Sequence, residues 1–161
     1  MIRPMRPDEF NFVISNWLRS YAKSDFAMLS TPKSDTRTPV CSGCGRRHVA
    51  VVKDEDGRFR PQTGPEYWAG HRALVTRLVA RCNVSVAENE DGLLDGFVCR
   101  EHDRPVLHYL YVRQSARGRG VARELVADLA NVATRYSHKG ALVDAARLPA
   151  GWHFSLYEAF S

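Results

Sequence analysis

The segment 113–122 constrains this chain more than any other, because two glycines and three arginines directly follow the apolar and aromatic run 107–112. The run predicts a strand, and the residues after the second glycine predict the start of a helix. At such a junction the first N–H groups of the helix lack partners, and glycines let a ligand approach them closely. With Arg113, Arg117 and Arg119 at the same place, the segment predicts a binding site for an anion.

The glycine spacing excludes two common nucleotide-binding loops. A P-loop has Lys and then Ser or Thr after its last glycine, whereas Val121 and Ala122 follow here. A dinucleotide-binding loop has three glycines, with an acidic residue about 20 positions later. The segment also has an interpretation without a ligand, in which a basic surface turn caps an ordinary helix.

The sequence Arg117-Gly118-Arg119-Gly120, set between a strand and a helix, resembles motif A of the GNAT superfamily of acetyl-CoA-dependent N-acyltransferases. In that family the turn binds the pyrophosphate of coenzyme A. Ser115 departs from the family pattern, which usually has Gln, Arg or Glu there, so one contact is expected to be weaker. The resemblance implies acetyl-CoA as cofactor and the contact residues Tyr111, Val112, Arg113, Arg117, Gly118, Arg119, Gly120, Val121 and Ala122.

The periodicity of apolar residues predicts helices and strands along the whole chain. Positions that recur every three or four residues indicate helices, and alternating positions indicate strands. We expect an edge strand at 1–5, a helix at 9–23 capped by Asp8, and an insert at 30–64 with a short strand at 49–52. The next helix begins with a capping box of Thr63 and Glu66 and ends at about 82. After it we expect strands at 83–88, 96–101 and 106–112, a helix at 118–136, a strand at 141–144 and a final helix at 152–160.

This order of elements resembles the GNAT fold, an α/β (α+β) arrangement in which helices flank a mixed central sheet. The resemblance implies a single domain over residues 1–161, with the insert at about 30–64. The family usually has two further strands after the last helix, and this sequence lacks them. We therefore expect a shorter wall on the substrate side, or a wall completed by a partner such as a second copy in a homodimer.

The resemblance also implies the reaction, in which an acceptor amine attacks the acyl thioester directly. A base must take up the proton of the amine, and His108 suits this role because its unperturbed pKa is about 6.5. Strand alternation places His108 with Leu110 and Val112 on one face, and Tyr109 and Tyr111 on the other. The alternative is a core histidine that binds a neighbouring carbonyl group.

Tyr157 matches the family tyrosine that protonates the departing thiolate, within the run Leu156-Tyr157-Glu158-Ala159-Phe160. The family glycine of this motif is missing here. A phenol has a pKa of about 10, which is close to that of a thiol. The alternative is an aromatic residue that packs the last helix onto the sheet. Asp144, at the end of a predicted strand, is a further ionisable candidate.

Cys41 and Cys44, followed by His48, are spaced like the ligands of a zinc knuckle. A structural zinc needs a fourth ligand, and the candidates outside the insert are His71, Cys82, Cys99 and His102. The alternatives are a reduced cysteine pair without metal and a degenerate finger. If zinc is bound, we expect it to stiffen the insert beside the substrate.

The chain has a net charge of +5, which suits polyanionic partners such as coenzyme A or nucleic acid. It has neither an apolar run of membrane length nor a signal-peptide pattern, so we expect a cytoplasmic protein without a membrane partner. In that compartment the four cysteines indicate burial or metal binding rather than disulfides. The acceptor amine can belong to a small molecule, a protein or a nucleobase.

Two other hypotheses keep the fold but change the function. The segment 17–21, the pair Tyr67-Trp68 and the strand 108–112 are similar to small GNAT-like proteins of bacteriophages. Mom-like phage proteins modify adenine in DNA, and the basic charge of this chain suits that substrate. The second hypothesis is a non-catalytic protein that binds nucleic acid.

Overall fold

The structure, a computed structural model, describes residues 1–21, 51–53, 55, 59–61, 64–138 and 148–159. These residues include the helices α1 (Phe10–Tyr21), α2 (Gly64–Arg81) and α3 (Val121–Leu125). The strands are β1 (Ile2–Pro4), β2 (Val51–Lys53), β3 (Phe59–Pro61), β4 (Asn83–Glu88), β5 (Leu94–Arg100), β6 (Val106–Val112), β7 (Arg135–Tyr136) and β8 (His153–Phe154). Short 3-10 helices lie at Pro7–Glu9, Gln114–Ala116, Ala127–Leu129 and Leu156–Ala159.

Six strands form one mixed sheet in the order β1–β4–β5–β6–β7–β8, and β2 pairs with β3 in a separate antiparallel hairpin. The pairings from β1 to β6 are antiparallel, and β7 is parallel to both of its neighbours. The predicted strands at 83–88 and 106–112 and the predicted edge strand are confirmed. Pro4 is tolerated in β1 because the outer side of an edge strand needs no N–H donor.

The described pairing between β6 and β7 is short. Val106 and Leu107 of β6 pair with the two residues of β7. The N–H of Ser137 then donates to the carbonyl of Leu107 at 3.0 Å. β6 continues to Val112, and within the described residues this part of the strand has β5 as its only strand partner.

Successive sheet residues point to opposite faces, and the buried side chains accordingly form two clusters. One cluster joins α1 and α2 to the sheet, and the other joins α3 and the following turn to it. The first contains Val13, Trp17, Leu74, Val75, Leu78, Val86, Phe97 and Tyr109, and the second contains Val98, Leu107, Leu125, Leu129 and Tyr136. The spacing of three and four residues along α1 and α2 explains why each helix buries a single stripe.

β6 contains one residue more than β5 can pair with. Cys99 lies opposite Tyr109, and the next residue, Arg100, lies opposite Leu107. His108 therefore has no partner residue on β5 and forms a β-bulge. A bulge interrupts the alternation of side chains, so residues on its two sides no longer follow one pattern.

The bulge makes the predicted face of His108 wrong, whereas Tyr109 and Tyr111 lie opposite Leu110 as predicted. Leu107 and Leu110 pack in the cluster of α3, whereas Tyr109 packs in the cluster of α1 and α2. His108 approaches Cys82, which belongs to the cluster of Tyr109. The prediction placed His108 on the face opposite Tyr109, because strict alternation holds only in a strand without an extra residue.

The predicted helix at 118–136 is also wrong in most of its length. α3 ends at Leu125, and Val126 leaves the helical region with φ −119° and ψ 20°. The chain then makes a 3-10 turn and enters β7, where Tyr136 is buried against the second cluster. Pairing with β6 outweighs the helical periodicity of this segment, since tertiary contacts regularly override propensity.

Two further predictions of local structure concern the C-terminal segment and the insert. The predicted helix at 152–160 is replaced by β8 and the 3-10 helix Leu156–Ala159, because residues 153–154 pair with β7. The insert contributes β2 and β3 among the described residues, so the short strand predicted at 49–52 is found at Val51–Lys53. The predicted strand at 141–144, Thr63 and the side chain of Glu66 lie outside the described residues.

The carboxylate of Glu9, rather than the predicted cap Asp8, stabilises the start of α1. The carboxylate of Glu9 accepts the backbone N–H of Arg6 at 2.7 Å and pairs with the guanidinium of Arg3 at 2.5 Å. Arg3 also pairs with Glu88 of β4. The hydrogen bonds from Arg3 lower the pKa of Glu9 to about 2 and hold the pKa of Glu88 below its usual range. This ion-pair cluster fixes β1 and α1 to β4.

None of the helices in the described part of the chain combines the length and the apolar character needed to span a membrane.

The close pairing of β5 with β6 gives a test of the fold. A Cβ at Gly96 would lie 2.5 Å from the carbonyl oxygen of Tyr111, so the Gly96→Ala variant must push the two strands apart. We expect it to lower the free energy of unfolding by about 1–3 kcal/mol in urea denaturation. Gly70→Ala, on the exposed side of α2, is the control and should leave stability equal or higher. An unfolding midpoint of Gly96→Ala equal to that of the wild type would contradict the tight pairing.

Candidate functional site

The chain forms an open turn directly after β6. Gly118 and Gly120 have positive φ angles of 78° and 87°, which favour glycine. No atom lies within 4 Å of a Cβ built at either position. Within the described part of the chain, the amides of Gly118, Arg119 and Gly120 make no backbone hydrogen bond. The turn is therefore a backbone cradle with room for an anion.

The cradle depends on the turn itself rather than on a long helix. α3 has five residues, so its dipole is much smaller than that of the predicted helix. The turn is tied to the sheet by the N–H of Arg113, which donates to the carbonyl of Asp95 at 2.7 Å. It is also held by Nε of Arg117, which donates to the carbonyl of Val112 at 3.1 Å. These contacts keep the arginine-rich turn at the end of β6.

The nine predicted contact residues thus lie along one continuous path from the end of β6 to the start of α3. Tyr111 differs from the others, because its ring packs against Phe97 and Phe12 with ring centres 5.5 and 6.5 Å apart. Its ring therefore belongs to the core, which leaves its backbone for contact with a ligand. Arg119 and Ala122 are exposed, as expected for residues beside an open cradle.

His108 is fully buried and has a partner on each ring nitrogen. Its Nε2 lies 3.0 Å from Oε1 of Glu101, and its Nδ1 lies 2.8 Å from the hydroxyl oxygen of Ser137. The same hydroxyl oxygen lies 2.8 Å from Nδ1 of His138. Glu101, His108, Ser137 and His138 therefore form a continuous series of hydrogen bonds, which we call the buried polar chain.

Glu101 provides the negative charge of the buried polar chain. Its Oε1 lies 3.4 Å from a guanidinium nitrogen of Arg81 and 3.4 Å from one of Arg104. Partial burial acts to raise the pKa of Glu101, but the hydrogen bond with His108 and the two arginine charges hold it below its usual value. Glu101 is therefore ionised at neutral pH.

Cys82 lies beside this carboxylate and imidazole, with ligand atoms of Cys82, Glu101 and His108 within 4.8 Å of one another. The Cys99 thiol and then His108 lower the pKa of Cys82, whereas burial raises the pKa of Cys99. Oε1 of Glu101 also faces His108, Arg81 and Arg104, so the cluster is part of an ion-pair network.

Aromatic rings from three elements surround His138. Its ring centre lies 5.1 Å from that of Trp17, 6.4 Å from that of Tyr109 and 6.1 Å from that of His71. Trp17 and Tyr109 stack on each other at 4.7 Å. Burial lowers the pKa of His71 to about 4 and that of His138 well below its ordinary value. Both histidines are therefore neutral at pH 7.

The structure describes some of the predicted site residues and not others. His108 is central to the buried polar chain, and the backbone of Tyr157 lies in the 3-10 helix Leu156–Ala159. The side chain of Tyr157 lies outside the described residues, as do Asp144, Cys41, Cys44 and His48. The zinc knuckle and the role of Asp144 stay predictions.

Sequence reasoning missed Ser137 and His138. Both follow directly on the segment that was expected to be helical, so they had no predicted strand to place them in the sheet. The β-branched Val132 and Thr134 before them were a signal against a helix and in favour of a strand. With that strand recognised, Ser137 and His138 fall directly after β7, which runs parallel to β6.

The buried histidines predict a pH dependence of stability. An unfolded histidine titrates at about 6.5, whereas the pKa of His71 is about 4, so the unfolded chain binds more protons between these values. The free energy of unfolding should therefore fall as the pH drops from about 6.5 to 4, and His71→Gln should reduce this slope. Urea denaturation at a series of pH values measures it. Equal slopes for the variant and the wild type would show that His71 titrates alike in the folded and unfolded protein, which would contradict the lowered pKa.

The sequence of this chain matches one family of known proteins over part of its length. Residues 80–160, which are 81 of the 161 residues, match the sequence model of the family described as Acetyltransferase (GNAT) domain. The match includes the turn, β6 and the buried polar chain. No curated protein sequence matches the chain.

Several solved structures are similar to this chain. Apo-form YjaB from Escherichia coli is 21% identical with a TM-score of 0.46, and the similarity covers 80% of this chain and 63% of that one. Histone acetyltransferase HPA2 and related acetyltransferase from Corynebacterium glutamicum is 15% identical with a TM-score of 0.48, covering 80% and 68%. A phosphinothricin acetyltransferase from Sinorhizobium meliloti, solved in complex with AcCoA, is 13% identical with a TM-score of 0.38, covering 81% and 57%. The chain thus spans less than two thirds of the first and third of these proteins.

Proposed function

The chain belongs to the GNAT acetyltransferase family, and from this premise we propose that it transfers an acetyl group from acetyl-CoA to a primary amine. The observation that carries the proposal is the open turn after β6, where Gly118 and Gly120 leave backbone amides accessible beside exposed arginines. Backbone donors and guanidinium groups are the partners that a pyrophosphate prefers.

The residues of the turn fit the charged part of coenzyme A. The amides of Gly118, Arg119 and Gly120 would bind the phosphate oxygens, and the guanidinium groups of Arg113 and Arg119 would balance their charge. Acetyl-CoA, when bound, supplies an acetyl thioester that is already activated for attack by nitrogen. A side chain at either glycine would strain the backbone that presents these amides.

β6 links this cradle to the buried polar chain. From Val112 back to His108 the strand rises about 13 Å, at about 3.3 Å per residue. The strand therefore provides a backbone track between the phosphate cradle and His108. The amine must lose a proton to attack, and His108, paired with the ionised Glu101, is the group that holds this proton.

Tyr157 is proposed as the acid that protonates the departing thiolate. The 3-10 helix that carries it is fixed to the sheet, because the N–H of Ser155 donates to the carbonyl of Tyr136 at 2.9 Å. The next residue, Glu158, is buried and pairs with Arg104 at 3.2 Å and with Arg135 at 3.0 Å. The proposal is supported by this anchoring, which holds the 3-10 helix against β7. The same groups would serve an amine on a small molecule, a protein or a nucleobase.

Acetyl-CoA binding by glycine variants tests the proposed function. Alanine at Gly118 or Gly120 would be strained at the positive φ there and would shift the amides of the turn, so we expect Gly118→Ala and Gly120→Ala to weaken acetyl-CoA binding at least about tenfold, which is about 1.4 kcal/mol. Isothermal titration calorimetry measures the affinity.

Gly151→Ala is the matched control, since Gly151 has a φ of 88° and precedes β8, on the side of the sheet where β6 starts rather than where it ends. It introduces the same backbone strain and should leave the affinity unchanged. Absence of acetyl-CoA binding by the wild-type protein, or equal binding by all three variants, would contradict the proposal.

A further inference from the structure

We propose that Cys82, Glu101 and His108 form a binding site for a zinc ion, at the end of the sheet opposite the cradle. The sulfur of Cys82, a carboxylate oxygen of Glu101 and a ring nitrogen of His108 lie within 4.8 Å of one another. The site is separate from the predicted zinc knuckle. It goes beyond the proposed function, because metal binding at these residues needs neither acetyl-CoA nor an acceptor amine.

Three separate segments bring these ligands together. Cys82 directly follows α2, Glu101 directly follows β5, and His108 is the bulge residue of β6. Because Asn83 pairs with Arg100 in antiparallel strands, the residues just beyond that pair, Cys82 and Glu101, meet across the two strands. The bulge turns His108 towards both of them. A metal ion at this place would join the end of α2 to β5 and β6.

The spacing of the ligand atoms suits a tetrahedral zinc ion. Zinc binds nitrogen and oxygen at about 2.0–2.2 Å and sulfur at about 2.3 Å, so its ligand atoms lie about 3.4–3.6 Å apart. Nε2 of His108 lies 3.0 Å from Oε1 of Glu101, and no pair of atoms in the group is more than 4.8 Å apart. Side-chain adjustments of about 1 Å would therefore bring all three atoms to zinc distances.

The chemical types of the ligands favour zinc over magnesium and calcium. A thiolate and an imidazole are typical zinc ligands, whereas Mg²⁺ and Ca²⁺ are bound by oxygen atoms. The thiolate of Cys82 and the carboxylate of Glu101 together balance the two positive charges of the ion. The Cys82 thiol would release its proton to water when the ion binds, as cysteine ligands of zinc do.

A hydrogen bond from outside the ligand group orients the ring of His108. The hydroxyl oxygen of Ser137 lies 2.8 Å from Nδ1 of His108. When Nδ1 carries the ring hydrogen and donates it to this oxygen, Nε2 presents its lone pair to the metal. Metal-binding histidines usually have such a partner on the other nitrogen, which fixes both the hydrogen and the ring. His108 therefore has the support that a ligand needs.

The two arginines beside Glu101 contact its carboxylate on the solvent side. Arg81 and Arg104 each lie 3.4 Å from Oε1, and their side chains are 40% and 42% exposed. Cys82 and His108 are buried and approach the carboxylate from the interior. A carboxylate has two oxygens, so one can bind the ion while the other keeps its arginine contacts. Ligating carboxylates are commonly hydrogen-bonded in this way.

A polar cavity next to the site gives the ion a path from solvent. It has a volume of about 300 Å³, and its lining includes Asn83, Glu101, His102 and Asp103. Asn83 is the neighbour of Cys82 in sequence, so the cavity meets the site at two of its three ligands. Zinc with three protein ligands binds water in the fourth position. Water from this cavity would complete the tetrahedron.

A bound zinc ion would also act on acetyl transfer, and this consequence rests on the proposed function. The ion would occupy Nε2 of His108, the nitrogen that faces Glu101 in the metal-free protein. His108 could then no longer hold the proton of the amine. We therefore expect zinc to inhibit the reaction without changing the affinity for acetyl-CoA, which makes this a regulatory metal site.

Cobalt is the spectroscopic probe for this site. Co²⁺ replaces Zn²⁺ in tetrahedral sites, and a cobalt–thiolate bond gives a charge-transfer band in the near ultraviolet. The chain has four cysteines, so the parent variant for the test carries Cys41→Ser and Cys44→Ser, and a thiolate band then reports Cys82 or Cys99 alone. We expect the parent variant to bind one Co²⁺ with this band, and to exchange it for Zn²⁺.

Substitutions in the parent variant locate the metal. Partners outside the ligand group contribute about 10–100-fold to metal affinity, so the loss of a ligand should weaken Zn²⁺ binding at least about 100-fold. We expect this loss for Cys82→Ser and His108→Gln, measured by competition with a zinc-binding dye. Cys99→Ser is the matched control, because Cys99 is buried beside Cys82 but lies outside the group of ligand atoms. It should keep both the affinity and the cobalt band.

A variant at the partly exposed ligand keeps the test valid if a buried variant folds poorly. Glu101 is 19% exposed, and Glu101→Gln keeps its volume while removing the charge. Zinc binding that is lost in the ligand variants and kept in Cys99→Ser supports the site. Absence of Co²⁺ and Zn²⁺ binding by the parent variant, or loss of binding in Cys99→Ser with retention in Cys82→Ser, overturns it.

An acetylation assay with spermidine and a lysine tripeptide separates the metal site from the proposed function. Cys82→Ser should keep the activity of the parent variant and lose its inhibition by zinc. Zinc that binds at the site without inhibiting an active enzyme overturns the regulatory role. A parent variant that acetylates neither probe counts against the proposed function, and the binding measurements still decide the metal site.

Discussion

The pairing of β5 with β6 is the constraint on which the rest of this structure depends. Gly96 allows the two strands to approach at one end, where any side chain would meet the carbonyl of Tyr111. At the other end the register leaves His108 without a partner on β5. The extra residue turns His108 towards Cys82 and Glu101, while the strand beyond it continues straight to the glycine turn. One strand therefore carries both the cradle and the buried histidine.

The charged groups around the partly buried Glu101 show how the interior accommodates this histidine. A buried ionised group is costly unless it is paired, and here Glu101 is shared by His108, Arg81 and Arg104. Glu158 extends the network by pairing with Arg104 and Arg135. The same ion pairs thus hold β7 and the C-terminal 3-10 helix against β6 and position the groups that are available for proton transfer.

Much of the fold follows from the sequence, and the failures have physical causes. β4 and β6 were predicted with their observed bounds because their alternation is local and their turns contain clear breakers, such as Asp91-Gly92. β7 was missed because its two residues are held by pairing with β6, a long-range contact that local periodicity does not contain. The face of His108 was wrong because a bulge depends on the register of two strands rather than on either one alone.

The candidate site, too, could be predicted only in part from the sequence. The cradle could be predicted, since glycines and arginines after a strand have a local meaning. The buried polar chain could not, because Glu101, His108, Ser137 and His138 come from three separate segments. The most direct test of the whole account is an NMR titration of the ¹⁵N-labelled protein with acetyl-CoA. The account predicts the largest shifts at the amides of Gly118, Arg119 and Gly120, with a second group of shifts along β6 towards Ser137 and His138. Unchanged amide signals at the glycine turn, with or without shifts elsewhere, would contradict it.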